Sequence, residues 1–327
     1  MPIRETFWNI PYWAEVGQYI LGLLTILIFS YGVLRRVRRW RKGQPDCRTD
    51  QLGTRLLSVL TQAVRQRRTT QDTYAGIMHL AIFWGMVALF LGTIVATVDW
   101  DVTHLFLDFQ FLTGTAYIIF ELFLDITGML LLLGLAMAAY RRYIVRPPRL
   151  RGGSERGNTW EDGYVIIMLA LVAVTGYLIE GLRIAVVQPD WAPWSPIGNA
   201  LASIFVAAGD PTNRALHLTL WIGHALIAFV FIASIPFTKL SHIFTTPINI
   251  FFRSLQPTGA LTAVNDSGSV GVKSWQDFTW KQILDFEACV RCGRCQDHCP
   301  VYISGMGLSP RNMIVNLDTY IWQRENC

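Results

Sequence analysis

Four cysteines near the C-terminal end of the chain have the spacing of a metal centre. Cys289, Cys292, Cys295 and Cys299 follow the pattern C-x2-C-x2-C-x3-C, and Pro300 comes directly after them. This run is typical of thiolates that hold a 4Fe–4S cluster. A zinc knuckle is the alternative, but zinc sites usually pair two C-x2-C units across a long gap. The sequence therefore predicts an iron–sulfur cluster and a reducing, cytoplasmic location for this end.

The fourth cysteine leaves the completion of the cluster open. In two-cluster domains of the bacterial ferredoxin type, the last cysteine of such a run ligates the other cluster. A second run is not found within the 327 residues. Either a second quartet lies outside them, or Cys299 or Cys327 completes the single cluster. The sequence therefore predicts a partial ferredoxin-type iron–sulfur domain over residues 275–327.

Histidines in the apolar part of the chain are the second set of candidate ligands. Five of the six lie in or beside apolar segments: His79, His104, His217, His224 and His242. An imidazole in lipid is costly without a partner, so each is a functional candidate. Haem b needs two axial imidazoles at one depth, and at 1.5 Å per residue His79 and His242 both fall near the cytoplasmic ends of their helices. These two are predicted to bind one haem, with His224 and His217 as further axial candidates. A satisfied core histidine is the alternative for each.

Four polar residues are candidates for a quinone or proton site on the outer side of the membrane: His104, Glu121, Asp125 and Arg183. Glu121 and Asp125 are spaced by four and share one helix face with Tyr117. Arg183 is expected at a comparable depth on another helix. Two interpretations are open, a structural Arg183–Glu121 ion pair that offsets desolvation, and a proton route for quinone chemistry.

Composition and apolar runs define the elements that must position these residues. The chain is 52% hydrophobic and 16% charged, and its mean hydropathy is +0.34, which is typical of a membrane protein with several spans. A span needs about 20 mostly apolar residues. Five runs qualify: Gly17–Leu34, Tyr74–Val98, Thr113–Tyr140, Gly163–Val187 and Ala215–Phe237. The predicted class is an all-α membrane protein with a five-helix transmembrane bundle.

Arginines predict the orientation of the spans. They crowd the segments that follow the first and third runs, whereas residues 99–112 and 188–213 hold no Lys or Arg. Positive residues lie on the cytoplasmic side. We therefore expect the N-terminus outside, the C-terminus inside, a location in the cytoplasmic (inner) membrane, and membrane lipid as a partner. The formal charge of +5 and the lack of an aromatic-interleaved basic patch argue against nucleic-acid binding.

The chain divides into three predicted parts, which are a haem b-binding transmembrane domain over residues 1–253, a linker over 254–274 and the cytoplasmic iron–sulfur domain over 275–327. Between the first two spans, leucines recur at helical spacing with basic residues among them. This pattern predicts an amphipathic helix that lies on the inner membrane surface. A solvated loop helix packed on other cytoplasmic parts is the alternative.

The fifth span and its exit, HLTLWIGHALIAFVFIASIPFTKLSHIFTTPINIFF, resemble the gamma subunit of respiratory nitrate reductase. The resemblance implies that His224 and His242 ligate haem b and that His79, in MHLAIFWG, is the partner for the inner haem. Leu89 stands where the gamma subunit has its other histidine on that helix. One or two haems are therefore expected, and the outer one depends on a different ligand.

The tail FTWKQILDFEACVRCGRCQDHCPVYISGMGLSPRNMIVNL is similar to proteins that fuse this membrane domain to a heterodisulfide reductase-like iron–sulfur subunit. Such proteins include oxidoreductases that pass electrons from electron-transfer flavoprotein to menaquinone. The resemblance implies electron transfer between a soluble donor, this flavoprotein or an iron–sulfur subunit, and menaquinone. The alternatives are an electron-transfer anchor for reduction of a disulfide or thiol substrate, and a non-enzymatic redox-sensing membrane protein.

Overall fold

The computed structural model describes residues 2–150, 159–257 and 271–325. These ranges are helical and contain no β-strand. Ten helices are labelled here in chain order: α1 (Tyr12–Trp40), α2 (Leu52–Val59), α3 (Thr73–Thr97), α4 (Gly114–Ala139), α5 (Thr159–Val187), α6 (Pro196–Phe205), α7 (Asp210–Ser234), α8 (His242–Phe251), α9 (Trp280–Glu287) and α10 (Pro310–Glu325). The predicted all-α class is confirmed.

Five of the helices in the described ranges are long and apolar enough to cross a membrane, namely α1, α3, α4, α5 and α7. All five predicted spans fall on them. The helices run past the predicted ends, since α3 continues in π-helical geometry towards Leu107 and α4 towards Val145. The apolar run marks the hydrocarbon region, whereas the backbone stays helical into the interface.

The chain forms two compact units. The first comprises Met1–Ile26, Thr69–Ile144 and Asp162–Ala233, and the second comprises Leu27–Arg68, Val145–Glu161 and Ser234–Cys327. The predicted division at residues 253 and 275 follows chain order and stays a prediction. Residues 258–270 of the predicted linker, and Cys327, lie outside the described residues.

Small residues let α3 and α4 approach closely in the first unit. A Cβ atom added at Gly85 would lie 2.8 Å from Cβ of Leu131, and one added at Gly134 would lie 2.9 Å from Cγ1 of Ile82. Between membrane helices, such small residues permit close van der Waals packing of the backbones. The glycines therefore fix the distance between the helix of His79 and the helix of Glu121.

A hydrophobic core joins α1, α9 and α10 in the second unit. Its buried members are Trp40, Trp275, Ile283, Leu284, Phe286 and Ile321. Helix α9 begins with a capping box, in which the Thr279 hydroxyl accepts from the amide of Gln282 and the Gln282 side chain accepts from the amide of Thr279. The core and the cap together position the cysteine run that follows α9.

Candidate functional site

The cysteine run forms a turning loop between α9 and α10. Cys289 lies two residues after the end of α9. Arg291 and Gly293 have positive φ angles of 60° and 74°, which turn the backbone back on itself. Two four-residue helices, Arg294–Asp297 and Pro300–Ile303, complete the segment. Its four cysteines form no disulfide bond with one another.

Backbone contacts hold this loop against other parts of the second unit. A Cβ atom added at Gly293 would lie 2.7 Å from the carbonyl oxygen of Arg149, so only glycine fits there. Arg311 Nη1 donates to the same carbonyl at 2.6 Å. Arg294 Nη1 donates to the carbonyl oxygen of Arg68, also at 2.6 Å. The loop is therefore tied to both segments that follow the arginine-rich ends of the first and third spans.

The thiols of the run influence one another. Burial is the main cause that raises the pKa of Cys289, and the neighbouring thiols of Cys292 and Cys295 raise it further, while the backbone N–H of Arg291 lowers it. Burial, followed by Cys292, also raises the pKa of Cys295. Metal ligation requires thiolates, so iron must displace these protons. Within the described ranges, no three His, Cys, Asp or Glu side chains are arranged to hold a single metal ion.

His242, the first residue of α8, is oriented as a metal-binding histidine is. Its Nδ1 lies 2.7 Å from the carbonyl oxygen of Lys239. A carbonyl only accepts, so Nδ1 carries the proton and donates, which leaves the Nε2 lone pair unprotonated. Burial is the main cause that lowers the pKa of His242 and favours the neutral ring. Metal-binding histidines almost always donate their other N–H to such a partner, so His242 fits an axial ligand of haem b.

His224, within α7, has the same tautomer for a different reason. The Thr175 hydroxyl lies 2.6 Å from the carbonyl oxygen of Leu171 and 2.8 Å from His224 Nδ1. Because the hydroxyl hydrogen goes to the carbonyl, Thr175 accepts from Nδ1–H of His224. The Nε2 atom of His224 therefore also carries the lone pair, as a ligand requires.

The remaining candidate histidines have aromatic neighbours. The His79 ring stacks on Phe83 with centroids 6.4 Å apart, and the His104 ring lies 4.5 Å from that of Trp100. His217 is buried, and its Nδ1 has no hydrogen-bond partner among the described residues. His217 thus lacks the accepting oxygen that orients His224 and His242. His79 belongs to the first unit and His242 to the second, and their pairing on one haem stays a prediction.

A half-buried charged cluster occupies the first unit near the start of α4 and the end of α5. Arg183 lies 3.6 Å from Glu121 Oε1, and its Nη2 donates to the hydroxyl of Tyr117 at 3.1 Å. The Trp191 ring lies under the Arg183 guanidinium at 5.2 Å. Close by in sequence to Arg183, the Glu180 carboxylate accepts from the Ser195 hydroxyl at 2.6 Å. The ion pair expected on the structural interpretation is therefore present.

Asp125 differs from Glu121 in its partners. Its two carboxylate oxygens accept from the amides of Ile197 and Gly198 at 2.9 and 3.1 Å. These amides open α6, and a carboxylate at a helix N-terminus satisfies otherwise unpaired donors and complements the helix dipole. Asp125 therefore anchors α6 to α4. Its predicted part in a quinone or proton site stays a prediction.

Several residues of these sites are not evident from the sequence patterns. Thr175 and the Lys239 carbonyl orient histidines, but a hydroxyl and a backbone oxygen carry no motif. Arg4 precedes the first span, and burial is the main cause that lowers its pKa while nearby Glu121 raises it. Glu287 receives hydrogen bonds from Arg36, Arg39 and Trp40. Arg36, Arg39 and Trp40 are spaced so that they share one face of α1. This spacing is the signal in the sequence that could have indicated a shared acidic partner.

The fold and the cysteine run define a helical membrane protein with a 4Fe–4S binding motif. Residues 71–258 match the nitrate reductase gamma subunit family, and residues 280–301 match a 4Fe-4S binding domain. Because the first match covers more than half of the chain, the chain belongs to the nitrate reductase gamma subunit family. The resemblance noted from the fifth span and the cysteine motif is confirmed.

Curated relatives extend well beyond the matched region. The chain is 33% identical to the EtfAB:quinone oxidoreductase of Syntrophomonas wolfei, over 98% of this chain and 45% of the relative. It is 27% identical to the probable iron-sulfur-binding oxidoreductase FadF of Bacillus subtilis, over 93% of this chain and 42% of the relative. A probable membrane-anchored ferredoxin of Chromohalobacter salexigens is 26% identical over 90% of this chain and 41% of its own length. The chain spans less than half the length of these relatives, and no solved structure is a significant match.

Proposed function

We propose that the chain is the membrane and iron–sulfur part of an oxidoreductase that transfers electrons between a cytoplasmic donor and menaquinone. The transfer uses a 4Fe–4S cluster and haem b. The observation that carries the proposal is the Nδ1 donation of His242 to the Lys239 carbonyl, which prepares Nε2 for iron directly after the fifth span. The relatives named as oxidoreductases support this class of activity.

Two groups of residues would hold the redox centres. Cys289, Cys292 and Cys295 would bind the cluster, and Cys299 or a thiolate from further sequence would complete it. His79 and His242 would hold the inner haem. When bound, the cluster and the haem supply one-electron chemistry, and the protein tunes it by burial and by hydrogen bonds to the ligands.

The charged cluster around Glu121 and Arg183 is the proposed site at which protons are exchanged with the quinone. Quinone chemistry moves protons together with electrons, so it needs a carboxylate that can exchange a proton inside the membrane domain. Glu121 lies beside Arg183 and Tyr117, which balance its charge and supply donors. His104 is a further candidate for the same site, whereas the contacts of Asp125 with the amides of Ile197 and Gly198 favour a role at the start of α6. This assignment rests on the half-buried charges of Glu121 and Arg183 in the first unit.

The donor is proposed to act on the cytoplasmic side. The name of the Syntrophomonas relative includes an electron-transfer flavoprotein and a quinone. By the positive-inside rule, both arginine-rich segments and the cysteine run face the cytoplasm, and the protein lies in the inner membrane. Arg68 and Arg149 belong to those segments; their carbonyl oxygens accept from Arg294 within the cysteine run and from Arg311 of α10.

Stopped-flow mixing tests this proposal. Reduced electron-transfer flavoprotein is mixed with the full chain in nanodiscs that contain menaquinone, and the b-type haem absorbance is followed. We expect the haem to be reduced by the flavoprotein. The Cys292→Ser variant should lose this reduction, whereas Cys47→Ser should keep it, since Cys47 is exposed and outside the run. A chain that holds haem but is not reduced by the flavoprotein would contradict the assigned donor.

A further inference from the structure

Helix α2 and the π-helical segment Leu60–Val64 that continues it present an apolar face outwards. Leu52, Leu56, Leu57 and Leu60 are each between 54% and 60% exposed. At 100° per residue these four leucines and Gly53 share one side of the helix. The outward side of α2 is therefore continuous and apolar.

The polar side of the same helix faces the protein. Arg55 is 1% exposed, and its Nη1 donates to the carbonyl oxygens of Phe251 and Arg253, both at 2.9 Å. Arg253 Nε donates in turn to the hydroxyl of Ser58, which is also buried, at 3.2 Å. These carbonyls close the C-terminal end of α8, where a cation is favourable. The polar contacts fix which side of α2 can point outwards.

The distribution of polar and apolar side chains on α2 is the reverse of that on a helix exposed to water. A helix packed on a protein in water buries its apolar stripe and turns its charges outwards. In α2 the arginine is inside and the leucines are outside, so water is an unfavourable neighbour for the exposed face. The solvated-helix interpretation left open by the sequence does not agree with these contacts.

Two features indicate lipid as the occupant. Residues 41–51 are all that separate the end of α1, a span, from the start of α2, so α2 follows closely after the chain leaves the membrane. Residues 51–71 contain no acidic residue, and Arg65, Arg67 and Arg68 follow the leucines. Basic residues beside an apolar helix face complement anionic headgroups.

We propose that α2 lies in the membrane interface, with its leucine face in the acyl region of an anionic leaflet and Arg65, Arg67 and Arg68 at the headgroups. The contacts of Arg55 then connect the lipid surface to the C-terminal end of α8. Since α8 begins at His242, the lipid contact supports the helix that carries this histidine. The proposal concerns lipid alone and does not depend on the electron-transfer function.

Nitroxide accessibility tests the proposal in the full chain. Single labels are placed at Leu56→Cys and Leu60→Cys in a Cys47→Ser, Cys327→Ser background, in nanodiscs of phosphatidylcholine and phosphatidylglycerol. Asn316→Cys is the matched control, because Asn316 is an exposed polar residue of α10. Cluster absorbance equal to that of the unlabelled chain shows that each variant is folded.

We expect the labels at positions 56 and 60 to collide more with oxygen than with a water-soluble nickel chelate, and the label at 316 to show the reverse. Labels at 56 and 60 that behave like the one at 316 would overturn the proposal, because the face would lie in water. Labels shielded from both reagents would also overturn it, because a protein would then cover the face.

Discussion

Glu287, two residues before Cys289, forms a buried ion pair with Arg39 of α1. The two side chains are 1% and 0% exposed. Arg36 Nη1 donates to the second carboxylate oxygen at 3.0 Å, and the Trp40 indole N–H donates to that same oxygen at 3.0 Å. The C-terminal end of the first span is thereby joined to the helix that leads into the cysteine run.

Removing the charge of Glu287 should destabilise the second unit. Breaking one partner of a buried ion pair typically costs about 3–5 kcal/mol, because the remaining charge stays buried without compensation. Glu287→Gln should therefore lower the midpoint of thermal unfolding, followed by loss of cluster absorbance. Asp210→Asn is the control, since Asp210 and its partner Arg214 are 58% and 45% exposed and such an i,i+4 pair is worth roughly 0.3–0.5 kcal/mol. Equal midpoints for the two variants would contradict the role of the buried pair.

Asp318 of α10 should make stability depend on pH. Burial, followed by the nearby Glu287 carboxylate, raises its pKa to about 6, although Arg36, Arg39 and Arg291 lower it. A folded pKa above the unfolded value of 3.8 means that the folded state binds more protons between these values. The contribution of Asp318 to stability is therefore complete below about pH 4 and is lost as the pH rises through 6. Thermal unfolding midpoints measured between pH 4 and 8 report this contribution. Asp318→Asn should remove its part of the slope of the midpoint against pH. An unchanged slope in that variant would count against the assignment.

Glu121 and Asp125 should respond differently to removal of their charges. Glu121→Gln should lower menaquinone turnover by roughly 100-fold, the lower end of what a positioned proton donor contributes, with haem content unchanged. Asp125→Asn should instead cost about 1 kcal/mol of stability through the weakened cap of α6, with turnover close to that of the unaltered chain. Turnover assays and thermal unfolding of both variants separate the two roles. Full turnover by Glu121→Gln would remove Glu121 from the proton route.

Gly293 should be essential to the cysteine loop. An alanine there meets the Arg149 carbonyl at 2.7 Å and adopts a φ of 74°, so the loop must shift. We expect Gly293→Ala to lower the iron and sulfide content per chain. Gly307→Ala is the matched control, since nothing lies within 4 Å of its added Cβ atom. Metal analysis that finds equal iron in the two variants would show that the loop tolerates the side chain.

The sequence predicts the spans well because their signal is local. Twenty apolar residues in a row leave few alternatives to a membrane helix, and the cysteine spacing is equally specific. The partner of Glu287 lies some 250 positions away on α1, so no local pattern reveals it. The same holds for Arg55, whose basic character suggests a surface position although its guanidinium closes α8. These arginines also follow the positive-inside rule, so the sequence does not show which of them make buried structural contacts.

The interpretation of Asp125 shows a second limit. Its spacing of four from Glu121 correctly places the two on one helix face, but the same face meets different neighbours at different depths. Glu121 meets a guanidinium, whereas Asp125 meets the amides at the start of α6. Only the tertiary contacts distinguish a carboxylate that pairs with a guanidinium from one that accepts from the amides of a helix N-terminus.

Haem content per chain in the His242→Ala variant tests the central claim most directly. The variant should lose one haem relative to the unaltered chain and keep the electron paramagnetic resonance signal of its iron–sulfur cluster. Lys239→Ala should keep the haem, because the carbonyl that orients His242 belongs to the backbone. Unchanged haem content in His242→Ala would contradict the proposed ligand and with it the proposed route from the cytoplasmic cluster into the membrane.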